Sequence, residues 1–218
     1  MMEGRLTSSG EVNFVVIRPR ITKAPLAWRI KNALRWNFIK GLFAAFVIVP
    51  CVKIFRIPVV TMMGELSIRV RNGKTGEWTD YGVVSRHVIT DAGVTALRDQ
   101  WNVGAFSYQT FNFHGIGTGS TAESASQTAL VTESTTALNP DSTRATGTRS
   151  TPASNQWRSV GTLTCDADIA VTEHGVLSQA ATGGGTLWDR SVFAAINLVG
   201  ANPDSIQCQY TCTLTSGG

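Results

Sequence analysis

Three observations predict an all-β chain: an antiparallel β-sandwich or jelly-roll-like domain with one short helix, behind a basic, apolar N-terminal extension. Apolar and polar residues alternate in short runs from Gly64 onward, broken by glycine and Asn/Pro turns. Charged residues make up 16% of the 218, against roughly 25% in an average soluble protein, and only five are lysine. That is too little charge for long solvated helices, whereas 21 glycines suit a chain with many turns. The same composition excludes a coiled coil, a disulfide miniprotein and a wholly disordered chain.

The N-terminal part stands apart by charge. Residues 1–61 carry ten Lys/Arg and two acids, a net +8, while residues 62–218 carry nine Lys/Arg and thirteen acids, a net −4, so the basic balance of the whole chain comes from the first segment alone. Leu26, Ile30, Leu34, Phe38, Leu42 and Phe46 recur every four residues among Arg29, Lys31, Arg35 and Lys40, which predicts a basic amphipathic helix over 26–46. The uncharged run Gly41–Val52 is twelve residues and contains Pro50, short of the roughly 20 residues of a membrane span. Residues 1–61 therefore read as a membrane-surface helix, a docking arm, or a translated segment ahead of a natural start at Met62 or Met63. The last is preferred, because charge and composition change at that Met pair. The predicted domains are 1–61 and 62–218.

Leu66, Ile68 and Val70 alternate with Ser67, Arg69 and Arg71 in the first strand, and Asn72-Gly73 marks the turn to a second over Trp78–Ile89. Thr90-Asp91 is a helix N-cap signal for a short helix through Trp101, weakened by Gly93. Phe106, Tyr108, Phe111 and Phe113 suggest an aromatic strand, followed by short strands near Ala129–Thr132 and Arg144–Thr148. Longer strands are predicted at Trp157–Cys165, Ile169–Leu177, Thr186–Ile196 and Ser205–Leu214. In the last, Ile206, Cys208, Tyr210, Cys212 and Leu214 share one face and Gln207, Gln209, Thr211 and Thr213 the other.

Candidate chemistry is thin. Gly115-Ile116-Gly117-Thr118-Gly119 lacks the Lys-Ser/Thr of a phosphate loop and reads as a tight turn between strands. His87, His114 and His174 lie in separate segments, and Glu173-His174 with Asp166 and Asp168 falls short of a metal site, so His174 reads as an exposed-turn or interface histidine. Asp189 and Arg190, adjacent on a strand, point to opposite faces and must pair with neighbours. Cys208 and Cys212, about 13 Å apart along one strand, cannot bridge and read as buried thiols. No Gly-x-Ser-x-Gly elbow is present. The expectation is a non-enzyme with no catalytic residue, cofactor or metal. Basic and aromatic residues interleave only over Trp28–Lys40, so no specific nucleic-acid partner is expected.

The domain resembles small β-sandwich structural proteins of tailed bacteriophage virions, of the head-decoration, fibre or tail-collar type. The likeness rests on Phe113–Ala122 with Gln127–Leu130, on Ala170–Ser178, and on Gly185–Phe193 with Asp204–Gln207 and the final strand. The resemblance implies a virion location, capsid or tail proteins as partners, and association with copies of the chain, a trimer being one arrangement. The expected interface residues are Trp188, Arg190, Phe193, Gln207, Gln209, Thr211 and Thr213. Two alternatives remain: a receptor- or glycan-binding fibre module using Trp157 and Trp188 as platforms, and a membrane-associated protein held by residues 26–60, though a membrane partner is not the expected one.

Overall fold

A computed structural model describes residues 2–6, 12–16, 21–33, 60–87, 89–102 and 110–216. Two strands, β1 (Met2–Leu6) and β2 (Val12–Val16), form an antiparallel hairpin. The remaining strands build two sheets that face each other across an apolar core, a β-sandwich.

The larger sheet has seven strands: β3 (Ile21–Lys23), β4 (Thr61–Arg71), β5 (Trp78–His87), β7 (Leu138–Asn139), β9 (Thr148–Ser150), β10 (Gln156–Cys165) and β13 (Ser205–Thr215). Their order is β3-β5-β4-β13-β10-β7, with β9 also on β10, and every pairing except β3–β5 is antiparallel. Alternation places Leu66, Ile68 and Val70 of β4 opposite Tyr210, Cys208 and Ile206 of β13, all buried. The Asn72 side chain shapes the β4–β5 turn, its Oδ1 accepting from the Lys74 and Thr75 amides at 3.0 and 2.9 Å. Gly76 completes that turn at φ 72°, where a side chain would be strained.

The smaller sheet runs β12-β11-β6-β8, from β6 (Phe113–Gly117), β8 (Ala145–Thr146), β11 (Ile169–Leu177) and β12 (Leu187–Leu198). Phe193, Ile196 and Leu198 meet Ile68, Leu163 and Ile206 of the facing sheet in the main core cluster. Burying each such side chain stabilises the fold by about 1.5–3 kcal/mol.

Helix α1 (Leu26–Ala33) lies on the flank, and α2 (Asp91–Asn102) follows β5. Thr90 caps α2 as its sequence indicates: Oγ1 accepts from the Gly93 amide at 3.0 Å and donates to the Leu187 carbonyl at 2.6 Å. Gly93 is explained by contact, since a Cβ there would lie 2.9 Å from the Trp188 carbonyl oxygen.

Four expectations need correction. Gly115–Gly117 is strand rather than turn, because the glycines form the floor on which another segment lies. Ala129–Thr132 is loop, its amides bound to a side chain instead of a neighbouring strand. Leu214 leaves the core at the end of β13 and is exposed. The boundary at 61/62 is no structural edge: Ile21–Lys23 extends the seven-stranded sheet and Trp28 packs on the core. Of the helix predicted over 26–46, residues 26–33 form α1; residues 34–46, like Phe106, Tyr108 and Cys51, lie outside the described residues. Cys165, Cys208 and Cys212 are buried free thiols, and burial pushes the Cys212 thiol up to about 12.

Candidate functional site

The two sheets present different outer faces. On the four-stranded sheet the central outward positions, Gly115 and Gly117 of β6, Glu173 and Gly175 of β11, and Arg190 of β12, are buried, whereas Thr146, Ala170, Ala195 and Asn197 toward its margins are exposed. A loop lies directly on this glycine floor. A Cβ at Gly117 would sit 2.1 Å from the Thr132 carbonyl oxygen, and one at Gly175 2.9 Å from Leu130. The Glu173 carboxylate gathers that loop, accepting from the amides of Gly119 at 3.1 Å, Val131 at 3.0 Å and Thr132 at 2.7 Å. Its counter-ion is Arg190, whose Nε donates to Oε2 at 2.7 Å with both side chains buried. Arg190 Nη1 also donates to the Thr121 carbonyl and to Gln127. Buried Arg144 repeats the device: it pairs with Glu133 at 2.5 Å and donates to the Gln179 and Gly184 carbonyls. A carboxylate with this many donors has its hydrogen-bonding capacity met by the chain itself, and its work is to hold loops.

Polar groups also cross the core. His114 Nδ1 lies 2.9 Å from His174 Nε2, and His114 Nε2 lies 2.8 Å from Ser159 Oγ. The order serine–histidine–histidine follows the layout of a hydrolytic relay, where a base must reach a nucleophile that itself reaches substrate. Here all three side chains are fully buried, and Cβ atoms at Gly147 and Gly161 would lie within 2.6 Å of the His114 ring. The space beside Ser159 is filled by its own neighbours, so the trio joins β6, β11 and β10 inside the core. Burial holds the His114 pKa down to about 4, which keeps the ring neutral near pH 7. His174 is thus a core residue, not the exposed or interface histidine expected. Nearby, Tyr210 donates to Asp189 at 3.1 Å and accepts from the Trp188 indole at 3.1 Å. Burial, then Asp189, pushes the Tyr210 hydroxyl well up.

The expected interface residues separate into two groups. Trp188, Arg190 and Phe193 are buried, because β12 is covered on both faces, and they serve internal packing. Gln207, Gln209 and Thr213 lie half-buried on the outer face of the seven-stranded sheet; Thr211 is buried there beneath Arg158, whose Nε donates to its Oγ1 at 3.1 Å. Of the outward positions on β4, β13 and β10, only Ser205 and Thr211 are buried. This face is the candidate site: an open surface of Glu65, Ser67, Arg69, Gln207, Gln209, Val160 and Thr162.

No family model, curated protein or solved structure matches this chain. Among the described residues no three His, Cys, Asp or Glu side chains come together as a metal site; Glu173 and His174 are buried while Asp166 and Asp168 are exposed. No described helix is long and apolar enough to cross a membrane. The two-tryptophan platform loses Trp188 to the interior, where it stacks on Phe111 at 5.0 Å and meets Trp157 at 5.9 Å. Trp157 and the edge of Trp188 still border one groove of about 500 Å³, together with Leu97, Phe111 and Arg149.

The Glu173–Arg190 anchor escaped the sequence reading, which found only that Arg190 needs a partner. A signal was present: Gly115, Gly117 and Gly119 recur at period two, the spacing of one strand face kept clear for an approaching chain.

Proposed function

We propose that this chain is a structural component of a tailed-phage virion, attaching to capsid or tail proteins and contacting copies of itself through the outer face of its seven-stranded sheet. The observation that carries the reading is the asymmetry of the sandwich: its own loops cover one sheet, while the other presents a broad polar face. At eleven residues, β4 and β13 run about 36 Å, and four strands span about 14 Å across. That gives roughly 500 Å² before side-chain relief, the order of the ~800 Å² each partner contributes to a standard interface. Gln and Thr rows suit it, since they hydrogen-bond across a joint without the desolvation cost of buried charge. The sequence resemblance supplies the particle, and the polar clusters, each engaged in holding loops or joining sheets, leave assembly as the better reading than turnover.

Two measurements test this. The protein inventory of purified particles must contain the chain, and its absence refutes the virion assignment. In solution, sedimentation of the full chain should show concentration-dependent association that the double variant Gln207→Glu/Gln209→Glu weakens at least tenfold. An unchanged association constant would remove this face from the interface.

A further inference from the structure

The flank of the sandwich, where the edge of β5 lies beside the edge of β12, is closed by residues 21–33. Ile21–Lys23 pairs in parallel with Trp78–Asp80, and the Ala24 amide donates to the Asp80 carbonyl at 2.8 Å. Lys23 Nζ meets Asp80 Oδ2 at 2.6 Å. Burial raises the Asp80 pKa, but Lys23, the Gly82 amide and Arg69 outweigh it and hold the carboxyl below its usual value. Trp28 stands edge-on to Tyr81 at 4.8 Å and donates to the carbonyls of Ala194 and Ala195, both at 3.0 Å. Buried Asn32 bridges the two sheets, donating to the Val84 carbonyl at 2.8 Å and accepting from the Ala194 amide at 3.1 Å. A strand and a helix from outside the sandwich thus satisfy edge groups of both sheets, the contact set of strand addition.

The opposite side of the same segment is bare. Ile21 is 58% exposed, Leu26 69% and Ile30 51%, with Leu26 and Ile30 one turn apart on α1. A segment seated on one side and apolar on the other fits between two bodies rather than between one body and water. The chain between α1 and β4, residues 34–60, is 27 residues long and reaches up to about 90 Å when extended.

We propose that residues 21–33 are an exchanged arm: the strand and helix of one chain seat on the β5–β12 flank of a second copy, making there the contacts they make within one chain. The hydrogen bonds are the same in either arrangement, so exchange costs little beyond chain entropy. The advantage of staying within one chain is an effective concentration on the order of millimolar, which adjoining copies in an assembly match. Covering Ile21, Leu26 and Ile30 between copies then favours the exchanged form. This proposal rests on the copy-to-copy association proposed above.

The Lys23–Asp80 pair provides the test in the unmodified full chain. Equal amounts of ¹⁴N- and ¹⁵N-labelled protein are mixed at a concentration that supports association. A carbodiimide then joins Lys23 to Asp80, monomer and oligomer are separated, and the cross-linked peptides are weighed. About half of the oligomer's Lys23–Asp80 links should carry both labels, as random pairing between copies requires, and none of the monomer's should. Oligomers whose links carry one label only would overturn the exchange while leaving association intact. A chain that stays monomeric throughout overturns both readings, and absence of the link from both fractions overturns the seated arm.

Discussion

Along β13 the core side chains Ile206, Cys208, Tyr210 and Cys212 alternate with Gln207, Gln209 and Thr213, which stand half-exposed. Along the first two thirds of β12 alternation vanishes: eight consecutive residues from Leu187 to Ala194 are buried, among them Asp189, Arg190 and Ser191, and alternation returns only over Ala195–Leu198. Both strands belong to one sandwich and share one apolar core. They differ in what lies behind them: the half-exposed face of the larger sheet in one case, the chain's own loops in the other. A loop carries backbone amides that need acceptors, and a buried carboxylate with its counter-ion supplies several at once. The covered sheet accordingly buries the charges on its outer side as ion pairs, whereas the open one keeps its own, among them Glu65, Arg69 and Arg158, within reach of solvent.

The largest expected effect lies at the anchor. Glu173→Ala removes the acceptor of three loop amides and leaves Arg190 buried with no opposite charge, which should cost about 3–5 kcal/mol. Urea denaturation checks the magnitude, and a broad-specificity protease should gain access to residues 118–132. A loss under about 1 kcal/mol would mean that the loop holds its place without the anchor, and the contrast between the faces would fail.

Acid should weaken the covered side next. The unfolded chain binds a proton at His114 near pH 6.5, whereas the folded chain resists protonation until about 4. Between those values the unfolded state holds more protons, so stability falls as pH falls, by about 1.4 kcal/mol per unit and about 3 kcal/mol in all. The stabilisation is complete above pH 6.5 and lost on approaching pH 4. Denaturation midpoints measured from pH 7.5 to 4.5 should trace this slope; a flat profile would contradict the buried, neutral His114.

Overpacking the glycine floor comes third. Gly117→Ala places a methyl 2.1 Å from the Thr132 carbonyl oxygen and should cost at least the 1–3 kcal/mol typical of overfilled cores. Thermal unfolding compared with wild type checks it, and a neutral result would show that the loop can move off the sheet.

The same comparison explains what the sequence made legible. Ser205–Thr215 was readable almost to the residue because apolar periodicity reports a strand with one buried face, and Ile169–Leu177 was readable to the residue although most of it is buried on both faces. Thr90 was readable because capping is local chemistry. The pairing of Glu173 with Arg190 is seventeen residues apart, and that of Arg144 with Glu133 depends on a loop path that no periodicity encodes. The glycines of β6 misled for a related reason: glycine marks both a turn and a close approach, and only the tertiary contact with Thr132 decides between them. Residues 21–33 misled through charge, since a basic, exposed segment reads as separate although Trp28 and Asn32 tie it to both sheets. Of the candidate interface, the Gln207–Thr213 half was readable from alternation; the Trp188–Phe193 half was not, because nothing local reveals that a strand is covered twice.

The smallest effect gives the most direct contrast, because an arginine stands outward on each sheet. Arg158 of β10 is half-buried on the open face and donates to Thr211 at 3.1 Å, with water within reach of its other nitrogens. Arg158→Met keeps the aliphatic stem over the sheet and surrenders that one bond, at a cost of about 0.5–1 kcal/mol, since solvent replaces what is lost. Arg190→Met is the same chemical change on the covered face. There it strands the Glu173 carboxylate and should cost several times as much, within the roughly 3–5 kcal/mol of a broken buried pair. Measured side by side in urea, the two variants read the difference in surroundings at constant chemistry. Equal losses would mean that coverage by the loops does not set the energetic character of the two faces. In that case Arg158 would be as deeply committed to the fold as Arg190, and the seven-stranded face would be a poor candidate for docking.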